Sequence, residues 1–216
     1  MRLPALLCAL SLAAFTGYAA DAPKPATPKA PAPKNAEPPV YMTVETAGPD
    51  FPLQGEYAGE GLGANIIALG DGNFRLVTFK GGLPGAGWDA SAKTEAEAKR
   101  DGDIVRFKDL AELKGGVLTI GATSLKRIER HSPTEGAKPP AGAIILLDGS
   151  NADAWKGGHL DERKLLAAGT TSKQAFQSFT LHLEFLLPFK PLGRGQGRAN
   201  SGVYVQNRYE VQVLDS

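Results

Sequence analysis

The sequence predicts a mostly β protein. Its 216 residues include 26 glycines and 16 prolines, enough to break the chain into short pieces, and the pieces between them are rich in Val, Ile, Leu and Phe. One stretch, "SFTLHLEFLLPF", alternates from Phe179 to Phe185. Phe179, Leu181, Leu183, Phe185 and Leu187 share one side of an extended chain, and Thr180, His182 and Glu184 share the other. Such a strand suits an antiparallel sheet with one face packed and one open. Hydrophobic residues make up 42% and charged residues 22%, with a formal net charge of +1. That balance gives no electrostatic case for a nucleic-acid partner or an anionic membrane surface.

The chain opens with "MRLPALLCALSLAAFTGYAA". Arg2, an apolar run from Leu3 to Phe15, and Gly17 and Ala19 as a small-x-small cleavage pattern read as a secretory signal peptide over 1–20. The run is too short for a lasting bilayer span, so no membrane span is expected after cleavage. Export to the periplasm or the exterior follows. Cys8 is the sole cysteine and would leave with the leader. The exported chain would then hold together by packing alone, without a disulfide, a thiolate metal site or a cysteine nucleophile. "DAPKPATPKAPAPKNAEPPV" supplies seven prolines in twenty residues, so 21–41 is expected to be an extended tether.

A small antiparallel β domain is expected over 42–130. "LQGEYAGE", "ANIIALG", "NFRLVTFK", "DIVRFK", "GGVLTIG" and "TSLKRIER" read as about six strands, with Gly70-Asp71-Gly72 turning a hairpin. They suggest a meander or partial barrel. "KTEAEAKRDGD" reads as a helical turn or as charged surface. Trp88, in the loop "GGLPGAGW", reads as a partly buried anchor in preference to a sugar-stacking platform. "HSPTEGAKPPAG", 131–142, reads as a linker, with His131 an ordinary loop residue.

From 143 onward, Asp148-Gly149 marks a turn and Trp155 a core position. "KPLGRGQGRANSG" lacks the Gly-Lys-Ser/Thr ending of a phosphate loop, and leaves Arg194 and Arg198 on a glycine-rich rim within reach of a polar ligand. "NSGVYVQNRYEVQVLDS" reads as a hairpin. Matching valines with valines needs an odd loop, taken as Asn207-Arg208-Tyr209. Gln206 would then face Glu210, and Tyr204 would face Gln212. With His182 and Glu184 from the earlier strand, one sheet face would carry six polar groups.

Leu147-Asp148-Gly149 with Trp155, Glu184-Phe185, Asn200-Ser201-Gly202 and Tyr209-Glu210-Val211-Gln212-Val213-Leu214-Asp215 together resemble the 3-keto-disaccharide hydrolase domain family, formerly a domain of unknown function. Leu147 stands where that pattern usually has phenylalanine. The resemblance covers 143–216. It implies the first part of a concanavalin-like β-sandwich, or jelly roll, because family domains continue past the Tyr-Glu-x-Gln strand; the domain is expected to be incomplete here and its site with it. It also implies an oxidised glycoside as partner. A 3-keto group makes the C2 proton acidic; base removes it, the C1 substituent is expelled, and water adds. On that footing Glu210 is the candidate catalytic base, and Asn200, Tyr204, Gln206 and Gln212 are candidate substrate-binding residues. His182 and Glu184 are the two candidate ligands for a divalent metal ion. A structural hydrogen-bond ladder fits Glu210 and Gln212 as well. A non-catalytic carbohydrate-binding jelly-roll module and a tethered envelope adaptor remain the alternatives.

Overall fold

The computed structural model describes residues 38–215. The expected signal peptide, and the tether up to residue 37, lie outside the described residues. None of the described helices is long and apolar enough to cross a membrane.

Eight antiparallel strands close into a barrel: β1 (Gly55–Gly59), β2 (Leu62–Gly70), β3 (Asn73–Lys80), β4 (Thr94–Asp101), β5 (Ile104–Phe107), β6 (Ala111–Lys114), β7 (Val117–Ile120) and β8 (Thr123–Ile128). Each strand pairs with the next, and β8 returns to β1 with Tyr57 opposite Arg127. Closure removes the unpaired edges that an open meander would present. Alternation supplies the filling. Tyr57, Ile66, Phe74, Leu76, Val105, Phe107, Leu113, Leu118 and Leu125 are buried in one cluster, with Ala64 and Ala68 making room among them. Outward positions carry charge, and Arg75 on β3 pairs with Glu97, its register partner on β4, at 2.8 Å.

The segment read as a helical turn or charged surface is in part β4, and "AELK" is β6; neither figured among the six expected strands. In β4 the partly buried residues are Ala96, Ala98 and Arg100, with Glu95, Glu97 and Lys99 outside. Alanine is a weak marker of an inner face, so the period of two is masked by the charges. In β6 only Ala111 and Leu113 face in.

A second, smaller cluster lies on the outside of the barrel. Val77, Phe79 and Leu83 are buried there, packed with Ile67, Ile128 and Trp88. The loop after β3 folds back to cover them, tied by Gly81 N–H to the Gly61 carbonyl at 2.8 Å. It approaches so closely that a Cβ on Gly63 would stand 2.6 Å from the Gly82 carbonyl carbon. Trp88 meets Phe79 edge-on at 5.6 Å, the anchoring position its sequence context suggests.

Past β8 regular structure thins. β9 (Trp155–Lys156) pairs with β10 (Thr171–Ser172), and β11 (Asn200–Val205) with β12 (Tyr209–Leu214), as separate two-stranded sheets. Asp148 forms the expected turn by accepting the Ser150 N–H at 2.9 Å. Trp155 is half-buried and its indole N–H donates to the Leu146 carbonyl at 2.8 Å. The strongest strand signal in the sequence, 179–187, forms no strand. No neighbouring segment among the described residues offers it a hydrogen-bonding edge, and alternation alone cannot make a sheet.

This segment is nevertheless fixed to the barrel at its far end. Tyr41, which the sequence placed in the tether, exchanges two backbone hydrogen bonds with Phe189, both 2.9 Å. Phe189 is buried with the barrel core and meets Phe51 edge-on at 5.1 Å. Leu192 lies over Gly70, where any Cβ would stand 2.3 Å from its Cδ2. These contacts close the barrel at the end where β1 begins and β2 turns into β3.

Tyr57 sits inside that closure, its hydroxyl donating to the Leu53 carbonyl at 2.8 Å. Burial pushes its phenol up to about 12 from 10.0. The unfolded chain therefore ionises first, so stability is intact below pH 10 and declines as pH rises towards 12. The loss over that window is expected to be roughly 2–3 kcal/mol. Urea unfolding of Tyr57→Phe should show a flatter alkaline limb than the parent; identical limbs would contradict the assignment.

Candidate functional site

The candidate site residues meet on the β11–β12 hairpin. Its reversal uses Gln206 and Asn207, both at positive φ (55° and 53°), with Arg208 N–H donating to the Val205 carbonyl at 3.1 Å. Two left-handed residues match the twist of the flanking strands. Asn accepts that conformation readily and Gln less so. The chain thus turns one residue earlier than the sequence suggested. The loop is Gln206-Asn207-Arg208, and the register moves by two.

Tyr204 faces Glu210, Gly202 faces Gln212, and Asn200 faces Leu214. The expected pairs, Gln206 with Glu210 and Tyr204 with Gln212, do not form. Gln206 lies in the turn, exposed, and leaves the set. Because the loop still holds three residues, the division into faces survives. Asn200, Gly202, Tyr204, Glu210 and Gln212 share one face; Val203, Val205, Val211 and Val213 share the other. Val211 is 65% exposed, so the valine side is not covered as a packed face would be.

On the polar face the contacts run diagonally. Gln212 Nε2 donates to Asn200 Oδ1 at 3.0 Å. The Glu210 side chain crosses Gly202, where a Cβ would stand 2.2 Å from Oε1. Only glycine leaves that path open, which gives Asn200-Ser201-Gly202 a physical reason. Hydrogen bonding to the Glu210 carboxylate, and then its charge, raise the Tyr204 phenol above its ordinary value. The arrangement offers an exposed carboxylate beside a phenol that keeps its proton, flanked by an amide pair able to meet hydroxyl groups.

His182 and Glu184 come together elsewhere. His182 Nε2 lies 3.1 Å from Glu184 Oε1, and that oxygen also accepts the Gly136 N–H at 2.6 Å. The backbone hydrogen bond from Gly136, followed by the one from His182, lowers the Glu184 carboxyl. No strand pairing or hydrogen bond joins this pair to the hairpin among the described residues, so the six-group sheet face does not form. Nor do three or more His, Cys, Asp or Glu gather as a metal-holding group among the described residues. Two ligands, one already engaged, do not fit a metal centre.

The glycine-rich rim also departs from expectation. Arg198 is 3% exposed, not on a mobile edge. Its Nε donates to Asp215 Oδ2 at 2.8 Å, one terminal nitrogen to the Ala68 carbonyl at 2.8 Å and the Pro191 carbonyl at 3.3 Å, and the other to Gln54 Oε1 at 2.9 Å. Arg194 donates to the Leu69 carbonyl at 3.0 Å. Both arginines therefore bind the barrel, and Arg198 carries the hairpin with it through Asp215. Sequence reasoning missed Gln54 entirely; a lone amide beside a strand start carries no signal. Two hollows, of about 280 and 370 Å³, lie at the same barrel end, bordered by Asp50, Arg100 and Phe189 and by Asn73, Glu97 and Arg194 respectively. Neither includes Glu210 or Gln212.

Compared with known proteins, the chain matches no family model, no curated protein and no solved structure.

The Tyr204–Glu210 contact is open to a direct check. Gly202→Ala should push the carboxylate aside and let the Tyr204 phenol titrate closer to its ordinary value, followed by its ring resonances across an alkaline series. An unchanged titration would mean that the carboxylate does not lie across Gly202.

Proposed function

We propose that residues 143–215 act as part of an exported enzyme that cleaves 3-keto-glycosides, within a concanavalin-like β-sandwich. The motif resemblance supports this reading, and one observation carries it: a carboxylate and a protonated phenol face each other on the hairpin, with Gly202 leaving the carboxylate free to lie between the strands. In the proposed reaction Glu210 takes the C2 proton of the oxidised sugar. The C–H electrons form an enolate, whose oxygen, formerly the C3 carbonyl, accepts a hydrogen bond from Tyr204. The enolate then reforms the ketone as a C1=C2 bond appears and the C1–O bond breaks, and the departing oxygen takes up the proton that Glu210 removed from C2, which returns Glu210 to a carboxylate. Water adds across C1=C2, hydroxyl to C1 and hydrogen to C2. Gln212 and Asn200 hold sugar hydroxyls. No step is assigned to a metal ion, since His182 and Glu184 lack a third ligand among the described residues.

The openness of the site favours a second reading. Glu210 is exposed, and a base usually needs some burial to reach a working pKa near neutrality. A carbohydrate-binding module that does no chemistry would tolerate that exposure.

Incubation with a 3-keto-glucoside and with the unoxidised glycoside separates the two. The enzyme reading predicts release of the aglycone from the keto sugar only, falling by about 10²–10⁴-fold in Glu210→Gln. Binding of the plain sugar without release, unaffected by that substitution, would replace it with the module.

A further inference from the structure

The segment 179–185 carries an unused symmetry. Its sequence, Phe-Thr-Leu-His-Leu-Glu-Phe, reads nearly the same from either end about His182. Its chain runs without a turn or bend, and no backbone–backbone hydrogen bond joins it to another described residue; only the Glu184 side chain is tied, to the Gly136 N–H. Phe179, Leu181, Leu183 and Phe185, all on one side, are 47% to 60% exposed. A free strand edge with a matching apolar row is a template for strand addition.

We propose that this segment is a dimerisation strand, and that its occupant is the same segment of a second copy, running antiparallel about a twofold axis through His182. In that register Phe179 of one copy faces Phe185 of the other, Leu181 faces Leu183, and Thr180 faces Glu184. Aromatic and aliphatic residues thus meet their like on one face, the pairing that stabilises antiparallel ribbons. The polar face is complementary as well. Each His182 lies diagonal to a Glu184 of the other copy, and each Thr180 hydroxyl lies opposite a carboxylate. A register moved by one residue would set the apolar row against Thr180, His182 and Glu184, so the alternation selects against it. A twofold axis makes the contact isologous, each copy meeting the other through the same edge.

The pairing is independent of the glycoside reading, and its test does not use turnover. In a Cys8→Ser background, His182→Cys places one thiol on the axis, facing its own mate, within reach of a disulfide. Thr180→Cys places the two thiols four positions apart, about 13 Å along the strands. Under mild oxidation the first should form a covalent dimer at least about tenfold faster than the second. The parent chain should sediment at twice the monomer mass, and Leu181→Lys with Leu183→Lys should return it to the monomer. Neither leucine belongs to the barrel core, so the barrel's unfolding transition should be unchanged in that variant. A parent chain that stays monomeric, or cross-linking that proceeds equally at 180 and 182, would overturn the proposal.

Discussion

One buried guanidinium joins the two halves of the described chain. Arg198 uses four donor contacts on four partners: a carboxylate at the end of β12, a carbonyl and a side-chain amide on the barrel, and a carbonyl of its own segment. Removing such a group from water costs several kcal/mol, and only near-complete hydrogen bonding offsets it. Each of its three side-chain nitrogens accordingly donates to at least one acceptor. Gln54 is held for it, because the same Oε1 also accepts the Ala68 N–H at 3.1 Å. Gly193 lets the chain pass, since a Cβ there would stand 2.5 Å from the Arg198 Cα. The barrel end, the 189–198 loop and the hairpin are one construction because these requirements share one residue.

That construction gives the barrel a part to play. A two-stranded hairpin by itself is marginal in water, and β11–β12 has both faces open. Its polar face is defined in space chiefly at its base, where Asp215 accepts from Arg198 and donates its N–H to the Ala199 carbonyl at 3.1 Å. The far end, carrying Tyr204 and Glu210, projects away from this support. The geometry of the candidate site therefore depends on a scaffold well over a hundred residues away in sequence.

Much of this was readable from residue types, and the failures have physical causes. The apolar strands of the barrel announce themselves by period, as in Phe74, Leu76 and Arg75. β4 does not, because its inner face is built from Ala96 and Ala98. Closure was hidden too: it depends on β8 reaching β1, a contact between residues about seventy positions apart that no local pattern encodes. The alternation at 179–187 suggested a strand with one packed and one open face, but a strand also needs a hydrogen-bonding neighbour, and the described chain supplies none. In the hairpin, parity fixed which residues share a side, whereas the register slipped because Gln206 takes a left-handed conformation that its side chain does not advertise. Arg198 was the largest misreading. The glycines around it suggested a mobile rim, yet one of them, Gly193, serves the close approach that lets the arginine be buried.

Native-state hydrogen exchange on Arg198→Met tests the joining role most directly. Methionine keeps the bulk of the stem and removes the donors. If the guanidinium holds the hairpin, β11 and β12 amides should lose protection by about a hundredfold or more, while β5–β7 amides keep theirs. Unchanged protection in β11 and β12, or equal loss across the whole barrel, would contradict the account.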